Sequence, residues 1–163
     1  MRGRAIQFAK SKPKLALLEA KKEKSPWFKA QALSYCLRYS EEPLLIAKLA
    51  KSAAKNGKDK YQQSAVRAWE IAALAQRGYM QEAKKSLREA CDMASQVSFA
   101  GSRAEAFHLL LNASFSINLR TAQQTYERLQ QYCKIDGHWR CKRALRNARL
   151  LFEEPNSYNR FYY

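Results

Sequence analysis

From Asp59 to Val97, apolar residues recur every three or four positions, which is the period of an amphipathic helix. Tyr61, Ala65, Ala68, Trp69, Ala72 and Ala75 share one face. Arg77-Gly78 interrupts the pattern, and Met80, Ala83, Leu87, Ala90, Ala94 and Val97 then form a second stripe, with Lys84, Lys85 and Arg88 pointing elsewhere. Glycine adopts a left-handed helix end without steric cost, so Gly78 marks the turn. Two amphipathic helices joined this closely must lie antiparallel, apolar face to apolar face.

The same reading covers most of the chain. Ala16, Leu17, Leu18 and Ala20 predict a short helix after Pro13, and the basic flank before it is expected to be loose. Ser25-Pro26 is a strong helix start, with Ser as N-cap and Pro where its missing N–H costs nothing. Phe28, Ala32, Leu33, Cys36 and Leu37 supply the apolar face of that helix. Ser40-Glu-Glu-Pro43 opens a helix carrying Leu45, Ala47, Leu49, Ala50 and Ala54, and Asn56-Gly57 ends it. Asp59 with Gln62, and Ser102 with Glu105, have capping-box spacing. Arg103 to Ile117 is apolar nearly all round, which predicts a central helix packed on several sides. Asn118 or Thr121 caps the next helix, which carries Ala122, Tyr126, Leu129 and Tyr132. His138 to Glu154 forms the last, stopped by Pro155. The aromatic segment Asn156 to Tyr163 is expected to pack on the body.

Gly and Pro are scarce and no β-branched run resembles a strand, so the fold class is all-α. Three regions are expected: a basic N-terminal segment over 1–24, one helical domain over 25–154 and an aromatic tail over 155–163. Sliding the chain on itself by 39 residues sets Ala65 on Ala104, Ala72 on Leu111, Ala83 on Ala122 and Leu87 on Tyr126. Helix pairs of similar length that match in this way imply a stack, each burying a face its neighbour completes. Within it, Gly78-Tyr-Met-Gln-Glu82-Ala83, followed by Ala90, resembles the turn and second helix of a tetratricopeptide repeat. The resemblance covers one unit. It implies a right-handed stack of antiparallel hairpins, about seven or eight helices long, with a surface that binds peptides or partner proteins without catalysis.

Charge changes the functional picture most. The 163 residues carry 30 Lys and Arg against 14 Asp and Glu, a net charge of +16, which attracts polyanions. At about 100° per residue, Cys141, Ala144, Leu145, Ala148, Leu151 and Phe152 fall on one arc of the last helix. Lys142, Arg143, Arg146 and Arg149 fall on the opposite arc, with Trp139 among them. This basic ridge beside an aromatic suits an acidic protein or peptide, or alternatively the phosphate backbone of RNA or DNA. It equally suits the solvated outer face of a capping helix.

Cys133, His138 and Cys141 form the sole metal-like grouping, and zinc would need a fourth ligand; no metal or cofactor is expected. All four cysteines read as small buried hydrophobes, and His108 reads as a core histidine. There is no nucleophile elbow or Gly-rich phosphate loop, so an enzyme is not expected. No apolar run approaches the ~20 residues of a spanning helix, and the N-terminus lacks the apolar core of a secretory signal. A cytoplasmic protein contacting no membrane is the expectation.

Overall fold

The helix starts follow from local capping chemistry. Ser25 accepts a hydrogen bond from the backbone N–H of Phe28 at 3.4 Å, ahead of Pro26. Asp59 accepts from Gln62 N–H at 2.8 Å, and Asn118 from Thr121 N–H at 2.8 Å. Each cap satisfies one of the free N–H groups of a first helical turn. Gly78 closes the turn between its helices with φ of +83°, a left-handed conformation.

The computed structural model describes residues 2–153 and Tyr162. Among these residues it is all-α and contains no strand. The segments are α1 (Arg2–Phe8), α2 (Pro13–Lys21), α3 (Pro26–Leu37), α4 (Pro43–Lys55), α5 (Lys60–Ala65), α6 (Arg67–Gln76), α7 (Met80–Ser95), α8 (Ala100–Ser114), α9 (Leu119–Ile135) and α10 (Trp139–Glu153). Consecutive segments pair: α3 packs on α4, α6 on α7 and α8 on α9. The pairs also join through their first members, α3 against α6 and α6 against α8. As its apolar circumference predicts, α8 is central and touches α5, α6, α7, α9 and α10.

Small residues set how closely the helices approach. Ala65, Ala68, Ala72, Ala83, Ala90, Ala94, Ala104 and Ala122 are buried, and Leu33, Ile71, Phe107, Leu110, Leu111 and Leu129 fill the spaces between them. At ~25 cal/mol per Å² of apolar surface removed from water, this core dominates the folding free energy.

Several expectations need correction. The flank before α2 is not loose: α1 packs on α2 and α3, burying Ala5, and Ala9 in the turn that follows is buried as well. Its Arg2 donates to Gln31 Oε1 at 2.9 Å and lies 5.0 Å over the Phe28 ring. Phe28, expected on the apolar face, is 42% exposed, outside the core. Leu45 also faces outward, because α4 turns Ile46, Ala47, Ala50, Ala53 and Ala54 inward instead. Ser102 does not cap a helix; α8 starts earlier, at Ala100, and encloses it. The helix expected from Asp59 is interrupted at Val66, although the Val66 N–H still bonds Gln62 C=O at 3.3 Å. The expected stop at Pro155 and the tail over 155–163 lie outside the described residues except for Tyr162, which is buried.

Candidate functional site

The periodicity of α10 decides which of its residues reach solvent. Cys141, Ala144 and Ala148 are buried against α8 and α9, and the Cys141 thiol donates to Ala100 C=O at 3.8 Å. The opposite face carries Trp139, Lys142, Arg143, Arg146 and Arg149, all exposed. The structure therefore brings the five sequence-predicted residues onto one side of one helix, but they are not equally available. Arg143 bonds Glu105 Oε1 on α8 at 2.5 Å and lies 4.9 Å over the Trp139 ring. Arg140 approaches the same carboxylate at 3.8 Å. Arg149 donates to the Tyr126 hydroxyl at 3.4 Å. Among the described residues, Lys142 and Arg146 have no carboxylate within ion-pair distance, so they are the free cations of the ridge.

Beside the ridge, a cleft of about 340 Å³ is lined by Tyr61, Glu105, His108, Arg143 and Asn147. His108 is partly buried, and its Nε2 has no hydrogen-bond partner among the described residues. Burial, and then the Arg143 cation, hold its pKa below 6.5, with Glu105 opposing. A neutral imidazole follows.

Sequence periodicity missed a second basic surface. A groove of about 460 Å³ between α7 and α9 is lined by Lys84, Arg88, Arg120 and Arg128, with Asn118 and Thr121 at the α9 start and, among the described residues, no carboxylate in its lining. Arg128 bonds Asp92 at 3.1 Å; among the described residues Lys84, Arg88 and Arg120 have no such partner. Arg120, Gln124 and Arg128 recur every four residues, a stripe that helical periodicity displays. That α7 faces it with Lys84 and Arg88 is a tertiary fact.

The metal-like grouping does not assemble. Cys133 donates to the Cys141 carbonyl at 3.8 Å, whereas His138 accepts from Arg140 N–H at 3.2 Å and stands edge-on to Phe99. Among the described residues, no three His, Cys, Asp or Glu side chains converge as ligands. All four thiols are free, and Cys36, Cys91 and Cys141 are buried. Burial pushes Cys36, Cys91 and Cys133 up to about 12. No helix of the described residues is long and apolar enough to cross a membrane. Compared with family models, curated proteins and solved structures, the chain matches none, so its functional reading rests on the geometry above.

Proposed function

We propose that this chain is a non-enzymatic interaction module of the cytoplasm, a right-handed, tetratricopeptide-like stack of antiparallel hairpins that binds an acidic protein or peptide. The outward face of α10 is its contact surface, with Lys142 and Arg146 as the available cations and Trp139 as the aromatic anchor. The observation that carries the reading is the fate of the carboxylates. Glu105 is held by Arg143 and Arg140, Glu89 by Arg67 and Lys51, and the buried Glu70 by Arg67, so these carboxylates are paired while Lys142 and Arg146 face out without one among the described residues. Trp139, 58% exposed beneath Arg143, offers apolar area at low entropic cost.

The test is fluorescence anisotropy with a labelled oligoglutamate peptide. An exposed ion pair contributes about 0.2–1 kcal/mol, so Lys142→Gln with Arg146→Gln should weaken binding roughly 2- to 30-fold. The melting temperature should stay unchanged, because among the described residues neither side chain has an ion-pair partner and both are exposed. Peptide affinity that ignores this pair refutes the α10 assignment.

A second reading, RNA or DNA binding as a component of a ribonucleoprotein, is favoured by the basic groove between α7 and α9. Its four cations would track phosphates. With about four contacts on a single strand, log K should fall against log salt with a slope of roughly −3. Arg88→Gln with Arg120→Gln should flatten that slope by about 1.4. Single-stranded RNA that binds no better than heparin sinks this alternative.

A further inference from the structure

Tyr162 follows α10 in the chain, yet its side chain sits in a cleft between α3 and α6 and is only 6% exposed. Its ring stands edge-on to Tyr35, centroids 4.8 Å apart. The Arg38 guanidinium lies 4.3 Å over the same ring. The phenolic hydroxyl donates to the Trp69 carbonyl on α6, with Ser34 within hydrogen-bonding reach. An aromatic wall, a cation over the ring and an acceptor for the hydroxyl match the three parts of a tyrosine: edge, face and O–H.

Contacts independent of Tyr162 hold much of this receptor in place. Arg38 Nε donates to Gln76 Oε1 at 3.0 Å, which fixes the guanidinium from α6. Arg77 Nη1 donates to the carbonyls of Leu37, Arg38 and Ser40 at 3.1, 3.1 and 2.8 Å, tying down the end of α3. Ser34 donates to Ala30 C=O at 2.8 Å. A site organised by its own scaffold loses less on binding than one its ligand must order.

We propose that the α3/α6 cleft is a recognition site for a tyrosine side chain carried on a non-helical polypeptide segment. Tyr162 fills it in cis and competes with such a segment on a partner. The inference rests on the interaction-module reading and adds one residue type that the partner carries. The occupant is visible: a tyrosine from outside any helix is seated there. Tyr35, Arg38 and Trp69 are distinct from the α10 ridge, so the two surfaces can be tested separately.

The experiment uses the full chain and a labelled peptide reproducing residues 154–163. That peptide has one Glu and one Arg, so the net charge of +16 does not draw it in. Tyr162→Ala opens the cleft and should bind the peptide at least tenfold more tightly than the unaltered chain. Phe in place of Tyr162 within the peptide removes the hydroxyl donor and should weaken that binding about 2- to 13-fold, the range of one net hydrogen bond. Circular dichroism verifies the fold. Should Tyr162→Ala not fold, Tyr162→Phe in the chain keeps the ring and should still admit the peptide several-fold better than the unaltered chain. Equal peptide affinity for the unaltered and folded variant chains overturns the proposal. If oligoglutamate binding still depends on Lys142 and Arg146 in that case, the tyrosine site alone has failed.

Discussion

Arg67 is 3% exposed in the middle of the fold, and removing it should cost more than any surface change. Its Nε donates to Glu70 Oε2 at 3.2 Å, its Nη1 to Glu89 Oε2 at 3.2 Å and its Nη2 to the Ser86 hydroxyl. Ser86 in turn donates to Glu70 Oε1 at 2.5 Å. Glu70 is 4% exposed, so its carboxylate depends on these two partners and not on water. Arg67→Met keeps most of the side-chain volume but leaves a buried carboxylate with one hydroxyl. Breaking a buried pair from one side costs about 3–5 kcal/mol, a large part of a total stability of about 5–15 kcal/mol. At about 2–4 °C per kcal/mol for a domain of this size, the melting temperature should fall by roughly 6–20 °C. Replacing both partners, Arg67→Met with Glu70→Leu, removes the stranded charge and should return stability to within about 2 kcal/mol of the parent, or above it. Urea denaturation followed by circular dichroism measures both, and an unchanged m-value shows that the same two states are compared. A single variant within 1 kcal/mol of the parent, or a double variant no better than the single, would refute this account.

His108 gives a pH-dependent counterpart. Its folded pKa lies below 6.5, so on acidification the unfolded chain takes up the proton first; stability from this group is complete above about pH 6.5 and is lost as pH falls toward the folded pKa, with a slope of at most about 1.4 kcal/mol per pH unit. Arg143→Gln removes one cause of the depression, so the His108 resonance should titrate at higher pH by NMR. The thiols of Cys36, Cys91 and Cys133, pushed up to about 12, should resist a thiolate-selective reagent at pH 8 in the folded protein and react after denaturation. Gly78→Ala meets no atom within 4 Å of the new Cβ, so its cost, about 1–2 kcal/mol, should come from the left-handed backbone alone; thermal melts that show no loss would contradict that.

Most of the fold was legible because helix boundaries are written in short-range chemistry. Ser25-Pro26, Asp59, Gly78 and Asn118 act within three residues of themselves, and the structure uses each as local reasoning expects. The departures arise where a distant group decides. Arg2–Phe8 is too short to hold a helix alone, and it does so because Ala5, Ala9 and Arg2 find α2, α3, Gln31 and Phe28. Phe28 reads as core by spacing but lies outside it, with Arg2 over its ring. Arg67 stands next to Ala68 in the sequence, and only the meeting of α6 with α7 makes it a buried partner of Ser86.

The sites follow the same division. The α10 ridge lies on a single helix, so its five residues could be read from one period. The α7/α9 groove could not, because along the sequence its cations are mixed with Glu89, Asp92 and Glu127 and the local charge looks ordinary. Folding then sorts the carboxylates. Glu89 turns toward Lys51 and Arg67, away from the groove lining. Its pKa, which burial raises, is nonetheless drawn below the ordinary 4.5 by those two cations. Among the described residues Asp92 pairs with Arg128, and Arg88 and Arg120 line the groove without a carboxylate partner. The sign of this groove is thus decided less by which residues lie along a helix than by which cations the neighbouring carboxylates pair with.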